Sequence, residues 1–279
     1  MSKNDDDLGS EVTNKVRWSL LQLKLQEVKA IRAVSLFRQR GIEPIVIKGL
    51  AAAYNYPLQH PRASIDIDLA VSATDYDSAT VIAESAASEG LAIDLHRELR
   101  HLDSVDWSDL FSNSVELKLG GESIRVLRAE DHLRVLCVHW LTDGARNKER
   151  LWDIYYILDN RDENFSWDRF LGIVDARRRR WLVCAVGLAN RYLGLDISDT
   201  PIAAEANELP RWVINTVEWE WSSEVAHWPL ESYIADPKMM LRQIRRRLRP
   251  NPIWATVQMQ GSFDSRTRIF YHIGALSFA

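Results

Sequence analysis

Two short apolar runs with acids at alternate positions constrain this chain more than any other feature. They are SIDIDLAV (Ser64 to Val71), which carries Asp66 and Asp68, and LAIDLHREL (Leu91 to Leu99), which carries Asp94 and His96. Strand side chains alternate between faces, so Asp66 and Asp68 leave one side while Ile65, Ile67, Leu69 and Val71 leave the other. His96 shares a face with Asp94 for the same reason. A fold built on these runs buries one side of a sheet and gathers carboxylates on the opposite side. Like charges this close resist ionising together unless a cation holds them, and hard cations such as Mg²⁺ prefer oxygen ligands. The cluster therefore reads as a metal site. The plain alternative is a half-exposed strand whose polar face meets water.

The segment upstream decides between the two. GIEPIVIKGLAAAYNYPLQHPRAS reads as a strand from Pro44 to Lys48, a turn at Gly49, a short helix, and a loop carrying Arg62 and Ser64. Phosphate chemistry uses such parts: a glycine that lets backbone N–H groups approach an anion, a helix N-terminus beside it, and cationic side chains within reach.

Strand, Lys-Gly, short helix, Arg, Asp-x-Asp strand and Asp-x-His strand, in that order, resemble the nucleotidyltransferase superfamily with a DNA polymerase beta type of palm. More closely, the chain resembles a bacterial branch with Lys-Gly where better-known members have Gly-Ser. The stretch RAEDHLRVLCVHWLTDGARNKERLWDIYYIL (Arg128 to Leu158), with its Glu-Asp-His helix start, mid-helix His139 and Trp-Asp helix, adds to it; the likeness runs from about Gly41 to about Ile197. Two departures stand out: Leu50 replaces the serine of Gly-Ser, and no second histidine follows His139 before Arg150.

The resemblance implies an α+β fold, with a palm of mixed sheet and flanking helices over residues 1–127 and an α-helical bundle over 128–279. It implies a Mg²⁺-dependent transferase, using a pair of ions, that moves a nucleoside monophosphate from an NTP, with ATP as the expected donor, to a hydroxyl and releases pyrophosphate. Asp66, Asp68 and Asp94 would be the metal ligands and catalytic acids, with Asp68 bridging and Asp94 serving or orienting the general base. Lys48, Gly49, Arg62 and Ser64 would meet the triphosphate, and His96 would border the acceptor pocket. Each has a simpler reading: Lys48 as a surface charge ending a strand, Arg62 paired with Asp66 or Asp68, Ser64 capping a turn, and His96 bonded to a carboxylate.

Apolar residues at 46% and charged ones at 27% describe an ordinary globular chain, and a net charge of −4 argues against bulk affinity for nucleic acid. No apolar run approaches the roughly 18 to 20 residues needed to cross a bilayer, so no membrane partner is expected. The opening MSKNDDDLGSEV is acidic and unlike a secretory signal, which points to the cytoplasm and to a disordered stretch of about ten residues. Cys137 and Cys184 fall on apolar helix faces and read as reduced core residues. Arg177 to Arg180 and the five arginines between Arg242 and Arg249 read as solvated helix faces, or else as a surface for an anionic acceptor.

Periodicity places a helix over Thr13 to Arg40, with Val16, Leu20, Leu23, Val28, Ile31 and Val34 on its apolar side and Gly41 ending it. A helix capped by Thr74 ends at Gly90, and strands Val115–Leu119 and Ser123–Leu127 flank Gly120 and Gly121 as a hairpin. From Ala129 the pattern turns helical, with further helices over Lys148–Asp159, Trp167–Asp175, Arg180–Leu193 and Pro210–Glu224. Nine of the eleven tryptophans lie at or after Trp140 and read mainly as core. His132, His139 and Asp153 read as structural.

The acceptor is open among a small molecule, a peptide or protein, and RNA, the last two in a toxin-like role. A non-catalytic nucleotide-sensing or partner-binding module of the same fold, and a nucleic-acid-binding protein without chemistry, are the competing readings.

Overall fold

The computed structural model describes residues 3–62, 64, 66–99, 105–222, 236–241, 250–264, 266 and 268–275; along the first helix, side chains are described at residue 14 and from residue 16 onward. The second arginine run, residues 242–249, lies outside the described residues. The chain divides into two compact units, Met1–Val135 with Asn160–Phe170, and Leu136–Asp159 with Leu171–Ala279.

The first unit is built on a five-stranded mixed sheet in the order β3-β2-β1-β5-β4. Its strands are β1 (Ile45–Val46), β2 (Ile67–Val71), β3 (Ile93–Arg97), β4 (Val115–Leu119) and β5 (Glu122–Val126). β2 runs parallel to β3 and antiparallel to β1, β1 parallel to β5, and β4 pairs with β5 as an antiparallel hairpin. The hairpin turns at Gly120 and Gly121, whose φ values of 54° and 100° any side chain would resist.

Helices cover the sheet: α1 (Lys3–Arg38), α2 (Gly49–Ala53), α3 (Tyr76–Ser88) and α4 (Trp107–Ser112). Ile67, Leu69 and Val71 pack with Ala30, Ala33, Val34 and Phe37 of α1 and with Leu50, Ala79, Ile124 and Val126. Ala70 belongs to the opposite cluster, with Ile45, Ile47, Leu99, Leu110, Leu127 and Val135. The alternation in β2 thus sorts its side chains between two faces as the sequence requires. Phe37, fully buried, is worth about 1.5–3 kcal/mol of apolar burial.

Several elements differ from those expected, among them the helix Tyr76–Ser88, whose N-cap is Asp75 and not Thr74. α1 begins at Lys3 rather than Thr13. The acids in NDDD sit in its first turns, where the helix dipole favours negative charge, so a polar segment that reads as a tail is also a good helix start. Val28, expected on the buried stripe, is exposed together with Trp18, Leu21 and Leu25, while Gln26 and Glu27 are buried. β2 starts at Ile67 and not at Ser64, leaving Asp66 in a bend ahead of the strand.

Residues 128–135 and 160–170 complete this unit through a buried ionic network at the start of α5 (Ala129–Thr142). The Arg169 guanidinium donates to Asp131 at 2.7 and 3.0 Å and to Asp109 at 2.9 Å, and Arg134 bonds Asp131 within the helix. Glu130 accepts from Arg128 at 2.8 and 2.9 Å and from the Ser166 amide at 2.7 Å. The Glu-Asp start of α5 is an anchor for the chain that returns at residue 166.

In the second unit, α6 (Leu151–Asp159), α8 (Ala176–Leu193), α9 (Ala203–Asn207), α10 (Arg211–Ser222), α11 (Pro252–Gln258) and α12 (Ile269–Ala275) form a helical assembly, and α7 (Trp167–Gly172) lies at the boundary in sequence. Four of its tryptophans combine burial or partial burial with a polar handle, whereas Trp219 is exposed. Trp140, Trp181, Trp212 and Trp221 donate their indole N–H to the carbonyls of Asn147, Gly261, Asp264 and Ala145, at 2.6 to 2.9 Å. Each ring fills the interior and pins a loop at once. Asp175 caps α8 by accepting from the Arg178 amide, so the helix starts at Ala176, ahead of the expected Arg180. Cys137 and Cys184 are buried, and burial pushes the Cys184 thiol up to about 12.

Candidate active site

Pairing of β2 with β3 sets the site. The parallel register places Asp68 beside Asp94 and Ala70 beside His96, so Asp68, Asp94 and His96 rise from the same face. Among the described residues their ligand atoms form a group within 4.8 Å of one another that could hold a metal ion. His96 Nε2 lies 3.1 Å from Asp94 Oδ2 and 3.4 Å from Asp68 Oδ1.

Lys48 reaches this group from beyond the end of β1. Its backbone sits at φ 48° and ψ −123°, a conformation L side chains rarely adopt, at the N-cap of α2. The turn redirects the chain so that the ammonium meets all three partners: Asp68 Oδ1 at 2.7 Å, His96 Nε2 at 3.0 Å and Asp94 Oδ2 at 3.6 Å. Lys48 and Asp68 are each only 6% exposed, whereas the Asp94 side chain is half exposed. Burial alone would raise the Asp68 carboxyl, but the His96 hydrogen bond and the Lys48 ammonium outweigh it and hold the group well below the usual carboxylate range.

Gly49 follows, packed closely against Ser64. A Cβ there would collide with Ser64 Oγ and lie 3.4 Å from Asp68 Oδ2. The Arg62 guanidinium donates to the Gly49 carbonyl at 3.0 Å, and Ser64 Oγ donates to the Asp66 carbonyl at 3.2 Å, which folds the loop between α2 and β2 back onto the turn. Leu50 is buried in the core with the rest of α2. The departure from Gly-Ser therefore exchanges a hydroxyl for core packing.

Lys48, Gly49, Ser64, Asp68, Asp94 and His96 come together; Arg62 is tied to the same turn. Asp66 stands apart: it is exposed and outside the group of metal-capable ligands. What the sequence reading did not foresee is that Lys48 engages the acids themselves, because its burial beside them depends on a turn with positive φ that the sequence does not announce. His132 is buried, and His139 Nε2 lies 3.6 Å from Asp143 Oδ2 just past the end of its helix; Asp153 is buried in α6.

The arginine run of α8 is largely committed to structure. Arg179 pairs with Glu205, Arg180 donates to the carbonyls of Glu205 and Glu208 at 3.0 and 2.6 Å, and Arg177 donates to the Gln260 carbonyl at 2.5 Å. They line a cavity of about 1550 Å³ with Arg211, Arg266 and the acids Asp175, Glu205, Glu208 and Asp264.

The model of a family described as "uncharacterised nucleotidyltransferase" matches residues 6–194 of the 279, which takes in the whole sheet and the Lys-Gly turn. The chain belongs to this family. A comparison with curated proteins finds no match. A nucleotidyltransferase domain implies an NTP substrate and in general a divalent metal, and the Asp68, Asp94 and His96 group suits a cation: an ammonium already lies within 3.6 Å of all three. Among the described residues, no helix is long and apolar enough to cross a membrane.

Proposed function

We propose that the protein transfers a nucleoside monophosphate from an NTP, with ATP the expected donor, to an acceptor hydroxyl and releases pyrophosphate. The observation that carries this reading is the convergence of Asp68, Asp94 and His96 on one face of adjacent strands around a cationic centre, in a chain of a nucleotidyltransferase family. In the reaction the acceptor oxygen forms a bond to the α-phosphorus, the bond from that phosphorus to the β-bridging oxygen breaks, and the hydroxyl proton leaves to a base. A bound divalent cation, Mg²⁺ or one like it, supplies charge neutralisation at the phosphates and a lowered pKa for the acceptor hydroxyl.

The residues have separable tasks. Asp68, buried and held ionised, is the fixed ligand; Asp94, half exposed, faces the side an acceptor reaches and serves or orients the base. Asp66, exposed in the bend before β2 and outside this group, would serve only as a ligand for a second ion. Gly49 and Ser64 offer close approach to a phosphate oxygen, Arg62 holds the turn open for it, and Lys48 has the reach to move its charge from Asp68 to the triphosphate. Incubation with each α-labelled NTP and a cell extract tests the reading: a labelled acceptor, absent with Asp68→Asn, supports it, and no transfer from any NTP counts against it.

One observation favours a second reading, a nucleotide-sensing module without turnover. The Lys48 ammonium already balances Asp68 in a buried pair, which a scaffold relieved of catalysis would keep. Such a module binds NTP without producing pyrophosphate.

A further inference from the structure

We infer that His96 is a nitrogen ligand of the divalent ion held by Asp68 and Asp94, and that this mixed donor set makes the position selective for a nitrogen-accepting first-row ion of the Mn²⁺ type over Mg²⁺. The inference rests on the metal-dependent transferase reading and names the ion that its site prefers.

The spacing supports ligation by all three groups. Adjacent ligand atoms of an octahedral ion with bonds of about 2.1–2.2 Å lie about 3.0–3.1 Å apart, the bond length multiplied by the square root of two. His96 Nε2 stands 3.1 Å from Asp94 Oδ2 and 3.4 Å from Asp68 Oδ1, so a small adjustment of one rotamer brings the three to such an ion. The imidazole is already turned correctly. Nε2 lies 3.0 Å from the Lys48 ammonium and beside both carboxylates, and the tautomer that carries its proton on Nδ1 presents the Nε2 lone pair to a cation in that place.

Donor chemistry then sets selectivity. Mg²⁺ is hard, demands near-ideal octahedral oxygen coordination and sheds water reluctantly. Imidazole suits the later first-row metals, carboxylate suits Mg²⁺, Ca²⁺ and Mn²⁺, and Mn²⁺ accepts both while standing above Mg²⁺ in affinity for nitrogen-containing sites. A fully carboxylate set has no such bias. The strand that supplies Asp94 supplies His96 two residues on, so backbone geometry fixes the pair and selectivity follows from one residue.

The test is Mn²⁺ binding to the full chain, followed by electron paramagnetic resonance, with Mg²⁺ as competitor and with pulsed detection of ¹⁴N coupling. The expected result is bound Mn²⁺ with an imidazole ¹⁴N signal, displaced only by a large excess of Mg²⁺. His96→Asn, checked for folding by its thermal melt, should lose the signal and weaken Mn²⁺ binding by about tenfold or more while changing Mg²⁺ binding much less. Bound Mn²⁺ without ¹⁴N coupling, or coupling that persists in His96→Asn, overturns the inference and leaves the transferase reading standing. Failure of both ions to bind at millimolar concentration, with and without ATP, overturns both.

Discussion

Lys48 Nζ lies 2.7 Å from Asp68 Oδ1, and both side chains are only 7% exposed. An ammonium withdrawn from water is tolerated because two carboxylates and an imidazole surround it, and these groups are the ones that would bind a metal ion. Ammonium and ion exclude each other from this space. In the proposed mechanism Lys48 would act twice, as a counter-charge to Asp68 without an ion and as a phosphate contact with one bound.

Replacement of Lys48 by methionine separates these roles. Lys48→Met leaves Asp68 buried without its cation, a loss of roughly 3–5 kcal/mol in stability for a broken buried pair. The same change removes the competitor for the ion. Thermal melts should show a less stable protein without added metal and a larger rise in Tm with Mn²⁺ than the unaltered protein shows.

Asp68→Asn and Asp94→Asn should each lower nucleotidyl transfer by at least about 10²-fold, the scale of losing one preorganised electrostatic contact. Asp66→Asn combined with Asp68→Asn should abolish transfer with the fold retained, as circular dichroism would show. Unchanged turnover in the double variant contradicts the proposed mechanism.

Gly49→Ala places a methyl group against Ser64 Oγ and should destabilise the turn by about 1–3 kcal/mol, the range for overpacking. Ser64→Ala removes the oxygen that is struck. Urea unfolding of the two single variants and the double should reveal coupling, with the double less destabilised than the sum.

Glu130 reports on the anchor of α5 through pH. Burial raises its carboxyl, but the Arg128 guanidinium and the Ser166 amide outweigh that and hold it below the ordinary glutamate value of 4.5. A carboxyl depressed in the folded state adds stability that is full above the unfolded value and disappears as pH falls through the folded one. Glu130→Gln should therefore destabilise the protein at pH 7, and the gap between the two proteins in urea midpoint should shrink as pH drops below about 4.5.

Much of the fold can be read in the residues because it depends on local periodicity. Ile67, Leu69 and Val71 against Asp68 announce a strand with one buried face, and Gly120-Gly121 announces a hairpin. The same locality explains the gaps. Nothing local tells Asp66 that β2 starts one residue later, because the strand ends where its pairing to Ala92 and Ile93 ends. Lys48 turns inward through a positive φ that no sequence rule assigns to lysine, and the arginines of α8 find their carbonyl partners in segments remote in sequence. Asp131, Arg134 and Arg169 form a network whose members are spread over 38 positions, which periodicity cannot reveal.

ATP labelled in turn at the α- and the γ-phosphate tests the central claim most directly. The account predicts that α-label passes to an acceptor, that γ-label leaves in pyrophosphate, and that both events disappear with Asp68→Asn. Transfer of γ-label to the acceptor, or labelling undiminished in Asp68→Asn, would contradict it.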